Sequence, residues 1–140
     1  MLYRLIYASE STPAFANSEV NALLAQARLN NGLRDMTGML VFDSRCFLQA
    51  LEGDRTLLSR LYNRMVVDPR HTSLVILGME PIERRVFAQW QMGYAAADAS
   101  RKPLYLRHGS SSNFEPRRLT APGALALLQD FAQLDEAVSA

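Results

Sequence analysis

Three polar side chains stand where the surrounding pattern calls for aliphatic ones: Tyr7, Asn31 and Gln49. Gln49 sits inside the run Cys46-Phe47-Leu48-Gln49-Ala50-Leu51. On a pleated strand Phe47, Gln49 and Leu51 share one face and Leu48 and Ala50 the other. Both faces are apolar, so Gln49 is expected to be buried whichever way it points. A buried amide without partners costs roughly 1–3 kcal/mol, so either another side chain or a ligand must bond to it. Tyr7 lies between Leu5 and Ser9 on its own face, and Asn31 falls on the same helical stripe as Leu23 and Ala27. Each has an ordinary explanation alone: Asn31 as a helix-end residue beside Gly32, Tyr7 as a core aromatic with its hydroxyl at the rim. Together, one phenol and two amides complement a flat heterocycle with alternating carbonyl and N–H groups. Leu23, Leu24 and Met65 would supply apolar walls for its faces.

Other chemistries are poorly represented. The sequence has no glycine-rich phosphate loop, no paired-cysteine metal spacing and no His-x-x-x-His, so no metal is expected. His71 and His108 are far apart, and no serine occupies a nucleophile-elbow pattern. His71 follows Pro69-Arg70 in a helix-to-strand connection and reads equally well as a solvated loop residue. Cys46 reads as a small core or edge residue. Arg28, Arg60 and Arg64 read as solvated helix-face residues.

The elements that must position these groups follow from periodicity. Leu2 to Ser9 reads as a strand, and Asn17 or Ser18 as the cap of a helix ending at Gly32, with Val20, Leu23, Leu24 and Ala27 on its apolar stripe. Met36 to Phe42 and Cys46 to Leu51 read as two strands joined by a turn at Asp43-Ser44-Arg45. Asp54 caps a second helix carrying Leu58, Leu61 and Met65, which Asp68-Pro69 stops. Ser73 to Met79, apolar on both faces, reads as a central strand. Gln89 to Tyr94 is a last candidate strand, with Trp90 and Met92 alternating on one face. The order β-α-β-β-α-β with an added strand predicts an α+β, ferredoxin-like, mixed five-stranded sheet with two helices on one face.

Residues 96–118 are more polar, with a loop composition at Gly109-Ser110-Ser111-Ser112-Asn113. Thr120 and Pro122 then open a helix bearing Leu127, Leu128, Phe131, Leu134 and Val138. This C-terminal helical extension needs a surface. The open sheet face offers one, in the same chain or in a second subunit.

With 140 residues, 49% hydrophobic and 21% charged, the chain has the balance of one globular domain. A net charge of +1 gives no reason to expect nucleic acid. The single cysteine excludes an internal disulfide and suits a reducing compartment, and no run approaches the ~20 apolar residues of a membrane span. The start, Met1-Leu2-Tyr3-Arg4, lacks the apolar core of a signal peptide. A cytoplasmic location is expected.

Five segments resemble the BLUF domain in order and spacing: Arg4-Leu-Ile-Tyr-Ala-Ser9, Asn30-Asn-Gly-Leu-Arg-Asp-Met-Thr-Gly-Met-Leu40, Phe47-Leu-Gln-Ala-Leu-Glu-Gly53, Asp68-Pro-Arg-His71 and Phe87-Ala-Gln-Trp-Gln-Met92. The resemblance covers about residues 1–95, and no core position departs from the pattern. Residues 96–140 resemble the two-helix extension of short members.

The resemblance implies a blue-light sensor that binds flavin adenine dinucleotide (FAD), with FMN or riboflavin as substitutes in a heterologous host, and no enzymatic activity. It implies that Tyr7 donates an electron to the excited flavin and that Gln49 bridges Tyr7 and the ring. Asn31, with Asn30, would hold the pyrimidine edge, and Leu23 and Met65 would wall the ring. Arg70 and His71 would contact the ribityl–phosphate chain. Ser9, Trp90 and Met92 would modulate the switch, one of the last two packing near Gln49. Rearrangement of Gln49 would strengthen its bond to the flavin C4 carbonyl and give a small red shift. Output would pass along the last strand to the C-terminal helices, and so to a protein partner or to a homodimer or higher homo-oligomer.

Two other readings compete. A ferredoxin-like hydrolase of acylphosphatase type would need an arginine in the loop after the first strand, and Ser9-Glu10-Ser11-Thr12 contains none. A small-molecule-binding or dimerisation module without photochemistry would leave Tyr7 and Gln49 satisfying each other.

Overall fold

A computed structural model describes residues 1–13, 15 and 17–134. Its centre is a five-stranded sheet in the order β4-β1-β3-β2-β5. The strands are β1 (Leu2–Ser11), β2 (Thr37–Phe42), β3 (Cys46–Asp54), β4 (His71–Pro81) and β5 (Gly93–Ala96). β1, β3 and β2 pair antiparallel with their neighbours, as does β4 with β1, whereas β5 joins β2 in parallel. The mixed, ferredoxin-like sheet is therefore as expected.

Helices α1 (Val20–Leu33) and α2 (Arg55–Val66) cover one face. Asp54 caps α2 by accepting from the Leu57 N–H at 3.2 Å, which satisfies one of the donors a helix start leaves open. The core beneath them holds Leu5, Tyr7, Leu24, Leu40, Leu51 and Leu58.

The opposite face is covered within the same chain by α3 (Lys102–His108) and α4 (Ala121–Ala132). Thr120 caps α4 through the Gly123 N–H at 3.1 Å, with Pro122 in its first turn. Leu127, Leu128 and Phe131 of α4 are each at most 1% exposed and pack on Ile6, Ala8, Met39, Val41, Leu48 and Ala50. Val138 lies outside the described residues.

Four expectations are corrected. Glu19, and not Asn17 or Ser18, stands at the N-cap of α1, which follows a 3-10 turn over Asn17–Glu19. β4 is an edge strand, because apolarity on both faces reports helices above and below the sheet, not strands on both sides. Gly32 lies inside α1 with no positive φ. Its lack of a side chain serves a close approach instead: a Cβ there would stand 2.7 Å from the Gln91 amide nitrogen. Gln89–Met92 is an irregular strap leading into the four-residue β5, and Trp90 and Met92 point into different cores.

A buried ion pair secures the start of the connection from β4 to β5, ahead of Gln89–Met92. Glu52, fully buried on the α4 side of β3, accepts from Arg4 Nε and Nη2 at 3.1 Å. It also accepts from the Val86 and Phe87 N–H groups, both at 2.9 Å.

Candidate functional site

The β1–β3 register places Tyr7 directly opposite Gln49, so their side chains are cross-strand neighbours on the α1/α2 face. Tyr7 Oη donates to Gln49 Oε1, and Gln49 Nε2 donates to the Met92 sulfur at 3.4 Å. Both residues are buried. Burial raises the Tyr7 phenol well above its ordinary range, with the charges of Asp68 and Tyr62 adding to the effect and Arg70 opposing it. The group therefore stays a neutral phenol. The β1–β4 ladder slips on either side of Tyr7 and Ala8, between Ile6 and Tyr7 and between Ala8 and Glu10. Such bulges commonly re-aim side chains beside functional sites.

Tyr7 and Gln49 open onto a cavity of about 420 Å³ between the sheet, α1 and α2. That volume is within the range of small-molecule sites, roughly 300–1,000 Å³. Its walls include Leu23, Leu24, Leu61 and Met65, its polar edge Asn30, Asn31 and Gln49, and its rim Arg34, Arg64 and Arg70. Asn31 is only 2% exposed, and its Nδ2 donates to the Gln91 carbonyl at 2.7 Å.

Tyr7, Leu23, Leu24, Asn30, Asn31, Gln49, Met65, Arg70, His71 and Met92 all line this cavity. Ser9 stands behind it, bonded to His71 Nδ1 at 3.1 Å. Trp90 is not part of the lining and packs against the core beneath α4.

Arg70 is engaged by Asp68, through Nε at 3.0 Å and Nη2 at 2.6 Å, and these bonds hold the Asp68 carboxyl below its usual range. Sequence reasoning missed Arg34 and read Arg64 as merely solvated. Arg64 is exposed but rims the cavity, one position before the wall residue Met65. Arg28 was also read as a solvated residue. It is half-buried, and its Nε donates to the Met92 carbonyl at 3.0 Å.

His71 has both ring nitrogens occupied. Nε2 lies 2.8 Å from the Met65 carbonyl, which can only accept, so Nε2 carries the hydrogen and Nδ1 accepts from Ser9. Burial lowers the imidazole below its ordinary 6.5, with the Met65 carbonyl and Asp68 opposing. The native state thus binds fewer protons than the unfolded chain, and stability falls as pH drops below 6.5 towards the lowered native value. Denaturant midpoints between pH 7 and pH 5.5 should fall more steeply for the wild type than for His71→Gln. Equal slopes would show that His71 titrates alike in the folded and unfolded states.

Comparison with known proteins identifies this arrangement. The family model for sensors of blue-light using FAD (BLUF) matches residues 2–93. The chain belongs to the BLUF family. The photoactivated adenylate cyclase subunit beta of Euglena longa is 32% identical over 98 residues, 69% of this chain but only 11% of that subunit. The chain thus spans about a tenth of the length of that curated relative. The photo-activated state of BlsA superposes with a TM-score of 0.87 at 25% identity, covering 97% of this chain and 98% of that one. The dark-state structure of the BLUF protein BlrB gives 0.75 at 25% identity over 93% of both chains.

BLUF domains bind FAD, and the donor set here fits it. Asn30, Asn31 and Gln49 would offer amide groups to the edge of a flat ring, and the aliphatic lining residues would flank its faces. Arg34 and Arg64 give the rim positive charge suited to a diphosphate. Among the described residues no cluster of His, Cys, Asp or Glu could hold a metal, and no helix is long and apolar enough to cross a membrane.

Proposed function

We propose that this chain is a light sensor and not an enzyme, in which Tyr7 and Gln49 form the switch and the C-terminal helices carry the output to a protein partner. The observation that carries this reading is the hydrogen-bonded series Tyr7–Gln49–Met92 at the edge of a cavity with room for a flavin ring. A dimerisation module in which Tyr7 and Gln49 merely satisfied each other would have no use for the cavity beside them, and a small-molecule-binding module without photochemistry would show no light-induced shift. Bound there, the flavin supplies blue-light absorption and a strong one-electron oxidant.

Tyr7 is the donor of an electron. Its proton would leave with the electron along the hydrogen bond to Gln49 Oε1, and both would return to Tyr7 once Gln49 has rearranged. Gln49 then exchanges its donor and acceptor ends, by rotation or by tautomerisation, with no backbone movement. Its bond to the Met92 sulfur is a weak contact, easily exchanged for another. Residues 1–95 form the flavin-binding unit in this reading, and residues 96–140 form the extension that reports its state. Whether the partner is a second copy or another protein depends on the outer surface of that extension.

The test is spectroscopic. Purified protein loaded with FAD should be yellow. Under blue light it should show a reversible red shift of the flavin band that decays in the dark. A protein that takes up no flavin, or whose flavin band does not move, would refute the proposal.

A further inference from the structure

The strap between β4 and β5 is held by two elements, β2 and α1, through three successive carbonyls. The Gly38 N–H donates to Trp90 O at 3.2 Å, Asn31 Nδ2 to Gln91 O at 2.7 Å, and Arg28 Nε to Met92 O at 3.0 Å. Arg28 and Asn31 are one turn apart on α1, so they share a face and grip consecutive carbonyls. In an ordinary sheet edge such groups would join a ladder. Here the Gln91 and Met92 carbonyls end instead on side chains of the helix that walls the cavity.

We propose that Arg28 is a positioning residue for the switch: by holding the Met92 backbone, it sets where the Met92 sulfur meets the Gln49 amide. The Arg28 side chain does not line the cavity, so it acts through Met92 and not on the flavin. Its bond is charge-assisted, a class roughly twice as strong as neutral ones. The same strap turns Trp90 into the opposite core against the C-terminal helices. Arg28 therefore fixes a segment that touches both the switch and the proposed output face. Asn31 contributes to the same grip, but it also lines the cavity, so replacing it would confuse binding with positioning.

The recovery arm of the test rests on the sensor reading above, whereas the exchange arm does not. Full-length, flavin-loaded wild type, Arg28→Ala and Arg28→Lys would be compared by amide hydrogen exchange in the dark. The amides of residues 88–92 and of Gly38 should exchange about tenfold faster in Arg28→Ala, while those of Leu5 and Leu48 stay unchanged. Dark recovery after blue light should change by a similar factor, with Arg28→Lys restoring both in part. A residue serving stability alone would lower the unfolding midpoint without changing recovery. If Arg28→Ala does not fold, Arg28→Gln provides the same comparison. Unchanged exchange in the strap would overturn the holding role, and unchanged recovery in a protein whose wild type shifts normally would overturn its effect on the switch. A wild type without any shift would overturn the sensor reading, and the dark exchange data would then decide the holding role alone.

Discussion

Gln49→Leu should bind flavin and absorb blue light yet show no light-induced red shift. Leucine is close to glutamine in size and suits a face already carrying Phe47 and Leu51, so the cavity wall should stay in place. What disappears is every hydrogen-bonding function of the amide. Tyr7 Oη loses its acceptor, leaving a buried hydroxyl unpaired at a cost of about 1–3 kcal/mol, while the apolar side chain recovers part of that by burial. A domain with ordinary stability tolerates that net loss. The switch does not, because a side chain without donor or acceptor has no second bonding arrangement to adopt. Difference spectra before and after blue light measure the effect directly. A shift of wild-type size in Gln49→Leu, at equal flavin content, would remove Gln49 from the mechanism and leave the cavity as a binding site only.

The largest effect on stability is expected at Glu52. Glu52→Ala removes the acceptor for two Arg4 nitrogens and for two backbone N–H groups of the β4–β5 connection. Arg4 is only 6% exposed, and its charge would keep only the longer contact with the exposed Glu80 carboxylate at 3.8 Å. Removing one partner of a buried pair costs about 3–5 kcal/mol, a large share of the ~5–15 kcal/mol that holds a domain together. A thermal midpoint lower by about 10 °C or more follows for a chain of this size. Glu52→Gln keeps a carbonyl acceptor and most of the shape, and it should lose less. A midpoint within a degree or two of wild type for Glu52→Ala would mean that water reaches Arg4 and replaces the carboxylate.

Sequence reasoning recovered the elements that alternate cleanly, and it located the two groups that matter most to the proposed switch. Tyr7 and Gln49 were readable because each interrupts an apolar run, and the β1–β3 register makes them partners. The strap was harder. Trp90 and Met92 mimic the period of a strand, but the carbonyls of residues 90–92 bond to Gly38, Asn31 and Arg28, and a pattern of apolar side chains carries no record of where carbonyls go. Arg28 was passed over for the same reason: an arginine on a helix face looks solvated until the backbone it grips is in place. Glu52 had a signal, since it follows Ala50 and Leu51 on a buried strand and lies opposite Arg4. A charge at an inward position calls for a partner just as an amide does.

The sheet is a single layer with a different neighbour on each side, and its residues are divided accordingly. On β1 and β3 the odd positions Leu5, Tyr7, Phe47, Gln49 and Leu51 face α1 and α2, and the even positions Ile6, Ala8, Leu48 and Ala50 face α4. On β2 the parity is reversed, with Leu40 and Phe42 towards α1 and α2 and Met39 and Val41 towards α4. Two sets of constraints are thus interleaved along the same strands without sharing a side chain. A combinatorial library restricted to Ile6, Ala8, Met39, Val41, Leu48 and Ala50 would redesign what docks on the far side while leaving every residue of the cavity wall as it is. Grafting a foreign helical pair onto this sheet, and so changing what the domain speaks to, starts from these six positions, with Phe87 and Ala95 beside them.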